Sequence, residues 1–282
     1  QVQSTWSSGP PVYRRSADIN EALDLNVALE RIAAQIQPQT VVETASISHA
    51  MGRVLAGDES ARHPSPPFPG SAMDGYALPA PATTDVGGSR WKIVGESAAG
   101  RPWTGHLREG ECIRILTGAV VPAGCRRIVL QEDCTADSDY ILISGDPEAR
   151  DHIRPIGHDV ARGERLVAAG TRLDAIDLGR LASDGRNVVE VLSRLSVGVF
   201  STGDELVEAD NSKTPLPAGR IYESNRTTLL AMLQGLPVIA HDLGNLPDTA
   251  TATQAALREA SNQHDFLLTS GGVSVGDHDH VR

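Results

Sequence analysis

From Leu195 to the end, the chain alternates between two periodicities, and this constrains its fold more than any other feature. LSVGVF, PVIAHD and DFLLTS read as strands, while SNRTTLLAMLQG and TATQAALREASNQ read as helices. Strand and helix in strict alternation require crossover connections, which put helices on the faces of a largely parallel sheet. Ser224 or Asn225 is expected to cap the first of these helices and Gly235 to close it. In open α/β sheets, ligands bind beyond the carboxyl ends of the strands, where loops and helix amino termini gather unpaired N–H groups. Two motifs fall at such ends. Ser201-Thr202-Gly203-Asp204-Glu205-Leu206 follows the first strand, and Thr269-Ser270-Gly271-Gly272-Val273-Ser274-Val275-Gly276-Asp277, with Asp279 after it, follows the last. Hydroxyls and glycines let a backbone wrap an anion, and carboxylates beside them can hold a divalent ion that bridges to phosphate. Either loop alone could be ordinary turn chemistry. Two hydroxyl-Gly-carboxylate loops on strands of one sheet favour a site.

The 282 residues exceed what one ordinary core organises, so two or more domains are expected. Ahead of the alternating region, WKIV at 91–94, ECIRIL at 111–116, RIVL at 127–130 and YILI at 140–143 form short strand candidates separated by Gly, Pro and Asp. They describe a small β-rich unit. Its approach is HPSPPFPG, where prolines 64, 66, 67 and 69 dictate an extended loop. Further upstream, Ile19, Ala22, Leu25, Leu29, Ile32 and Ile36 recur at helical spacing until Pro38 ends the run. TRLDAIDLGRLASDGRNVVEV reads as a helix over Ala175 to Ala182, a turn at Asp184-Gly185 and a strand. The expected division is a tail over 1–17, a linker or dimerisation domain from 18–60 and 150–194, the β-rich insertion 61–149 and the α/β domain 195–282.

Charge narrows the functional classes. A net charge of −11, without a basic stripe, excludes a general nucleic-acid surface. No apolar run is long enough to span a membrane and the opening residues lack a signal peptide's apolar core, so a cytoplasmic protein is expected. Cys112, Cys125 and Cys134 show neither CxxC spacing nor a nearby histidine cluster, and read as buried or free thiols. Neither a P-loop, a dinucleotide fingerprint, GxSxG nor HExxH is present.

Three further segments carry polar candidates among packing residues: Asp74 in Ser71-Ala72-Met73-Asp74-Gly75-Tyr76, Thr117 in Ile115-Leu116-Thr117-Gly118-Ala119, and Arg154 with Asp159 in IRPIGHDVARG. Hairpin turns and a surface ion pair would account for the last two without any function.

Taken in order, PPFPGSAMDGYAL, ILTGAVVPAG with VLQED, IRPIGHDVARG, FSTGDELVE, GRIYESN and LLTSGGVSVGDHDHV resemble the molybdopterin molybdenumtransferase family, to which the E domain of gephyrin is related. The resemblance covers about residues 18 to 282. It implies an elongated multi-domain α/β chain with a β-rich inserted domain, a three-layer α/β molybdopterin-binding domain, and a homodimer whose cleft lies between subunits. The implied reaction inserts molybdate into adenylylated molybdopterin, releasing molybdenum cofactor and AMP, with Mg2+ assisting and a molybdopterin adenylyltransferase acting upstream. Carried onto this sequence, the catalytic positions are Asp74, Thr117, Arg154, Asp159, Glu205 and Asp279. Substrate contacts fall to Thr202, Gly203, Asp204, Asp248, Ser270, Gly271, Gly272, Ser274, Gly276 and Asp277, and the metal to Glu205 and Asp279. Members continue past the glycine-rich loop into a Pro-Gly-Lys-Pro segment and a small C-terminal β domain. This chain stops at Arg282, so an incomplete α/β domain and a fragment of a longer protein are expected. Arg126 and Arg127 stand where the family has small or acidic residues. A gephyrin-like scaffold, or a pterin-binding fragment with little turnover, are the alternatives.

Overall fold

Alternating side chains explain most of what the backbone does. The computed structural model describes residues 24–80, 86–144, 150–209, 215–247, 249–271 and 281. Its elements run α1 Leu25–Gln35, β1 Val42–Ser46, β2 Glu59–Ser60, β3 Gly70–Ser71, β4 Gly75–Pro79, β5 Arg90–Ser97, β6 Glu111–Ile115, β7 Cys125–Leu130, β8 Cys134–Asp137 and β9 Tyr140–Ile143. They continue with β10 Ile153–Arg154, β11 Arg165–Val167, α2 Ala175–Ser183, β12 Val188–Leu192, β13 Leu195–Thr202, β14 Leu206–Val207, β15 Ile221–Tyr222, α3 Asn225–Leu233, β16 Val238–Leu246, α4 Ala250–Ser261 and β17 Phe266–Ser270.

The chain divides into two units, residues 1–40 and 41–282. In the first, Asp24 accepts a hydrogen bond from the Asn26 N–H and opens α1, which ends before Pro38. The helix starts after the non-helical Asp24 cap, and the earlier part of the predicted run, residues 18–23, lies outside those described. Its apolar residues Leu25, Leu29 and Ile32 are exposed.

In the second unit, four sequence-predicted strands enter a six-stranded sheet ordered β7-β4-β6-β5-β9-β8. Both faces of its centre are covered. Tyr76 and Leu78 pack with Cys112 and Val129 on one face, while Ala77 packs with Ile113, Ile115 and Ile128 on the other. That is why RIVL reads as a continuous apolar run. The three thiols are free, and burial pushes them up to about 12 for Cys112 and about 11 for Cys125 and Cys134, so none is a nucleophile near neutral pH. A separate core gathers around the β1–β12 antiparallel pair and α2, with Leu55, Leu173, Leu181 and Val191 fully buried. Asp174 and Asp177 form a capping box at the start of α2.

The alternating region forms a three-stranded parallel sheet, ordered β16-β13-β17. Val197 and Val199 of β13 pack against Leu229, Leu230 and Leu233 of α3, while Phe200 packs with Ala256, Leu257 and Ala260 of α4. The two helices therefore cover opposite faces and the arrangement is three-layered. The first strand lies in the centre and its two successors on either side, so the connections diverge at the carboxyl end of β13. A fold of this type opens a crevice at that switch point. Among the described residues, no helix is long and apolar enough to cross a membrane.

Candidate functional site

Two groups of predicted residues are assembled, each by its own loops. The first begins where the proline-rich stretch pairs Gly70–Ser71 antiparallel with Ile153–Arg154, bringing the PPFPGSAMDG and IRPIGHD segments side by side. The Ser71 N–H donates to the Ala119 carbonyl at 2.9 Å and the Gly118 N–H returns a bond to Ser71 O at 2.9 Å, which fixes the Leu116–Ala119 turn against them. Asp74 Oδ1 then accepts from both the Thr117 N–H at 2.6 Å and the Thr117 hydroxyl at 2.7 Å. The Thr117 hydroxyl, followed by its N–H and the nearby Arg114 charge, holds the Asp74 carboxyl below the ordinary carboxylate value.

Arg154 forms an ion pair with Asp159, whose own N–H donates to Ser65 O at 2.9 Å. The Arg154 hydrogen bond, with its charge and that of His158, likewise lowers the Asp159 pKa. His152, which accepts from the Ala72 N–H, adopts φ +52, a left-handed conformation uncommon for a residue with a side chain. A cleft of about 450 Å³, lined by His63, Ser65, Pro67, Val160, Arg180 and Asp184, adjoins Asp159 through Ser65 and Val160, but Asp74, Thr117, Arg154 and Asp159 do not line it. Asp74, Thr117, Arg154 and Asp159, predicted from three separate motifs, thus share one loop cluster.

The second group occupies the switch-point crevice. The Thr202 hydroxyl donates to Ser270 O at 3.0 Å and ties β13 to β17, and Asn245 Nδ2 donates to Gly203 O at 3.0 Å and ties the same loop to β16. Gly203 has φ +133, and a β-carbon there would collide with the Glu205 carboxylate folded over it. At Gly271, with φ +102, a β-carbon would meet the Thr202 hydroxyl. Only glycine fits at either place. Glu205 and Asp204 are exposed in the turn that follows, and Glu205 O accepts from the Ile221 N–H at 2.9 Å. Ser270 Oγ is buried and has no hydrogen-bond partner among the described residues, so this strand end offers a donor that a ligand could engage.

Asp248, Gly272, Ser274, Gly276, Asp277 and Asp279 lie outside the described residues. Among those described, no group of three or more His, Cys, Asp or Glu side chains could hold a metal ion. Mg2+ keeps several waters and needs only one or two carboxylates plus substrate phosphates, so the exposed oxygen donor Glu205 fits such an ion without a complete protein cage.

Sequence reading missed what supports the crevice. Ser224 occupies the N-cap of α3 but its side chain makes no capping bond there. Glu223 caps instead, its Oε1 accepting from the Arg226 N–H at 2.7 Å, because a carboxylate satisfies both the free N–H and the positive helix end. Arg226 is itself buried, and its guanidinium contacts Ser201, Glu208 and Asp242. GRIYESN ends one residue before it, so the signal was an arginine following a motif, with nothing to reveal its burial.

Residues 23–185 match the family described as "MoeA N-terminal region (domain I and II)", and residues 198–282 match "Probable molybdopterin binding domain". A molybdopterin molybdenumtransferase of Haemophilus influenzae is 37% identical over 262 residues, covering 92% of this chain and 63% of the relative. Gephyrin of Dictyostelium discoideum is 29% identical, covering 86% of this chain and 36% of its own. The crystal structure of the molybdopterin biosynthesis moeA protein from Pyrococcus horikoshii OT3 superposes with a TM-score of 0.79 at 29% identity, over 87% of this chain and 65% of that one. The chain therefore spans under two thirds of the length of each of these proteins.

Proposed function

The chain belongs to the MoeA family, and from that premise we propose that it serves molybdenum cofactor biosynthesis by inserting molybdate into adenylylated molybdopterin, releasing AMP. The observation that carries this reading is the switch-point crevice. Thr202 meets Ser270 and Gly271 across two strand ends, the Glu205 carboxylate folds over Gly203 beside them, and among the described residues the buried Ser270 hydroxyl lacks a partner. A pterin bearing phosphate would lay its oxygens against these loop N–H and hydroxyl donors, as anions do at strand and helix ends. Asp248 and the loop from Gly272 to Asp277 belong to the same proposed pocket.

Molybdate insertion needs no protein nucleophile, and rate enhancement then comes from holding two anions together and offsetting their repulsion. Mg2+, when bound, would neutralise phosphate charge, with Glu205 and Asp279 as its proposed protein ligands. Arg154, paired with Asp159, offers a guanidinium suited to an oxyanion, and Asp74 holds the Thr117 hydroxyl in a fixed orientation. We assign this loop cluster to the site of the neighbouring subunit in a homodimer. The substrate's adenylyl group requires an adenylyltransferase upstream, and the setting proposed is the cytoplasm.

The test supplies adenylylated molybdopterin and molybdate to the purified chain and measures AMP and molybdenum-loaded product. Glu205→Gln should lower turnover by about 100-fold, the scale expected when one placed charged group is lost, with an unchanged melting temperature. Unaltered turnover in Glu205→Gln, or AMP release without molybdenum insertion, would overturn the reading.

A further inference from the structure

The first turn of α3 breaks a local rule. The amino terminus of a helix carries partial positive charge and favours acidic side chains, yet its second residue is an arginine whose side chain is 5% exposed. Such violations occur where something other than the element's own stability is being served. Arg226 Nη1 donates to Ser201 Oγ at 2.6 Å, Nε contacts Asp242 Oδ1 at 2.7 Å, and Nη2 pairs with Glu208. One planar fork thus joins the end of β13, the segment after β14, and β16.

Both inner arms lead to the same atom group. Along one, Ser201 immediately precedes Thr202 and Gly203. Along the other, Asp242 marks an irregularity in the β13–β16 ladder: Val199 faces Asp242 but Ser201 faces Asn245, so β16 carries an extra residue there. Asp242 Oδ1 holds that bulge closed by also accepting from the Gly244 N–H at 2.9 Å. A bulge re-aims the side chain that follows it, and here the following side chain is Asn245, whose Nδ2 reaches Gly203 O. Gly203 in turn makes room for the Glu205 carboxylate.

We infer that Arg226 is the positioning residue of the crevice: through Ser201 and through the Asp242 bulge it sets the orientation of the Gly203 peptide and hence the placement of Glu205. It does not touch substrate. The role rests on the proposed function for its catalytic consequence, and on geometry alone for its effect on the loop.

The experiment measures amide hydrogen exchange of the ligand-free chain, then steady-state kinetics with adenylylated molybdopterin. Arg226→Met should speed exchange at least 10-fold in residues 203–206 and 242–245 and leave residues 75–79 and 111–115 unchanged. Ser201→Ala and Asn245→Ala, which cut one arm each and leave the buried charge intact, should each give a smaller rise at 203–206. Arg226→Lys, a point charge that cannot span all three partners, should fall between wild type and Arg226→Met. In turnover, kcat should fall at least 10-fold and by more than KM rises, because Glu205 is misplaced together with the Gly203 peptide that meets substrate. Unchanged exchange at 203–206 in Arg226→Met overturns the inference, and so does an equal rise across the whole of 195–270, which would make Arg226 ordinary fold support. A wild-type chain that turns over no substrate would remove the proposed function and leave the exchange result to decide the inference.

Discussion

The Asp74 cluster and the β13 crevice hold comparable polar groups in opposite ways. Around Asp74, three loops are stitched together by main-chain hydrogen bonds, and the charged groups Arg154 and Asp159 remain about half exposed. Around Gly203, among the described residues, side chains join the strand ends: Thr202 to Ser270, Asn245 to Gly203, and the buried Arg226 behind them. A loop cluster stitched by backbone keeps its shape when one side chain is lost. One held by a single buried cation does not, although Glu208 and Asp242, which pair with Arg226, keep access to water.

The largest expected effect tests whether the two clusters form one working unit. Asp74→Asn and Glu205→Gln chains should each lose about 100-fold in turnover, and verified heterodimers of the two should recover a substantial part of it. Recovery would place Asp74 of one subunit with Glu205 of another, whereas absence of recovery would leave each cluster to its own chain.

Stability should separate the regions next. Arg226→Met should cost about 1–3 kcal/mol in urea unfolding, because buried Ser201 and Glu223 lose a charged neighbour while Glu208 and Asp242 rehydrate. Arg154→Met, which breaks an exposed pair, should cost less than about 1 kcal/mol. Equal losses would erase the contrast.

The smallest effect is electrostatic. Thr117 lowers the Asp74 pKa beneath its usual 3.8, so the contact stabilises the folded state above that value and fades as pH falls through the depressed one. A carboxyl titration followed by NMR should show Asp74 below 3.8, and Thr117→Ala should move its midpoint upward, with a small loss of stability at pH 7 that vanishes in acid below the depressed value. A midpoint already at the ordinary value would show the contact to be open in solution.

These regions also differed in how far the chain alone revealed them. The parallel sheet and its two helices followed from periodicity, because side-chain spacing is a local property. Asp74, Thr117, Arg154 and Asp159 were found as separate motifs, and their assembly depends on β3 meeting β10 across about 80 residues, which no local pattern records. Arg226 was missed for a related reason. Its burial depends on Glu208, Glu223 and Asp242 converging from three segments, and helix rules disfavour it at that position. Glu223 as the cap instead of Ser224 is the same lesson on a smaller scale: its carboxylate takes the Arg226 N–H at the helix start.

The pairing of β1 with β12 has a consequence for biosynthesis. Val42 lies opposite Leu192, so about 150 residues separate the partners, and the six-stranded sheet lies between them in the chain. A ribosome adding roughly 5–20 residues per second leaves β1 unpartnered for roughly 8 to 30 seconds. During that interval the β4–β9 sheet has all its strands and can close first. The late pairing then joins the ends of an already folded loop, whose closure costs less entropy than that of a flexible chain of the same length.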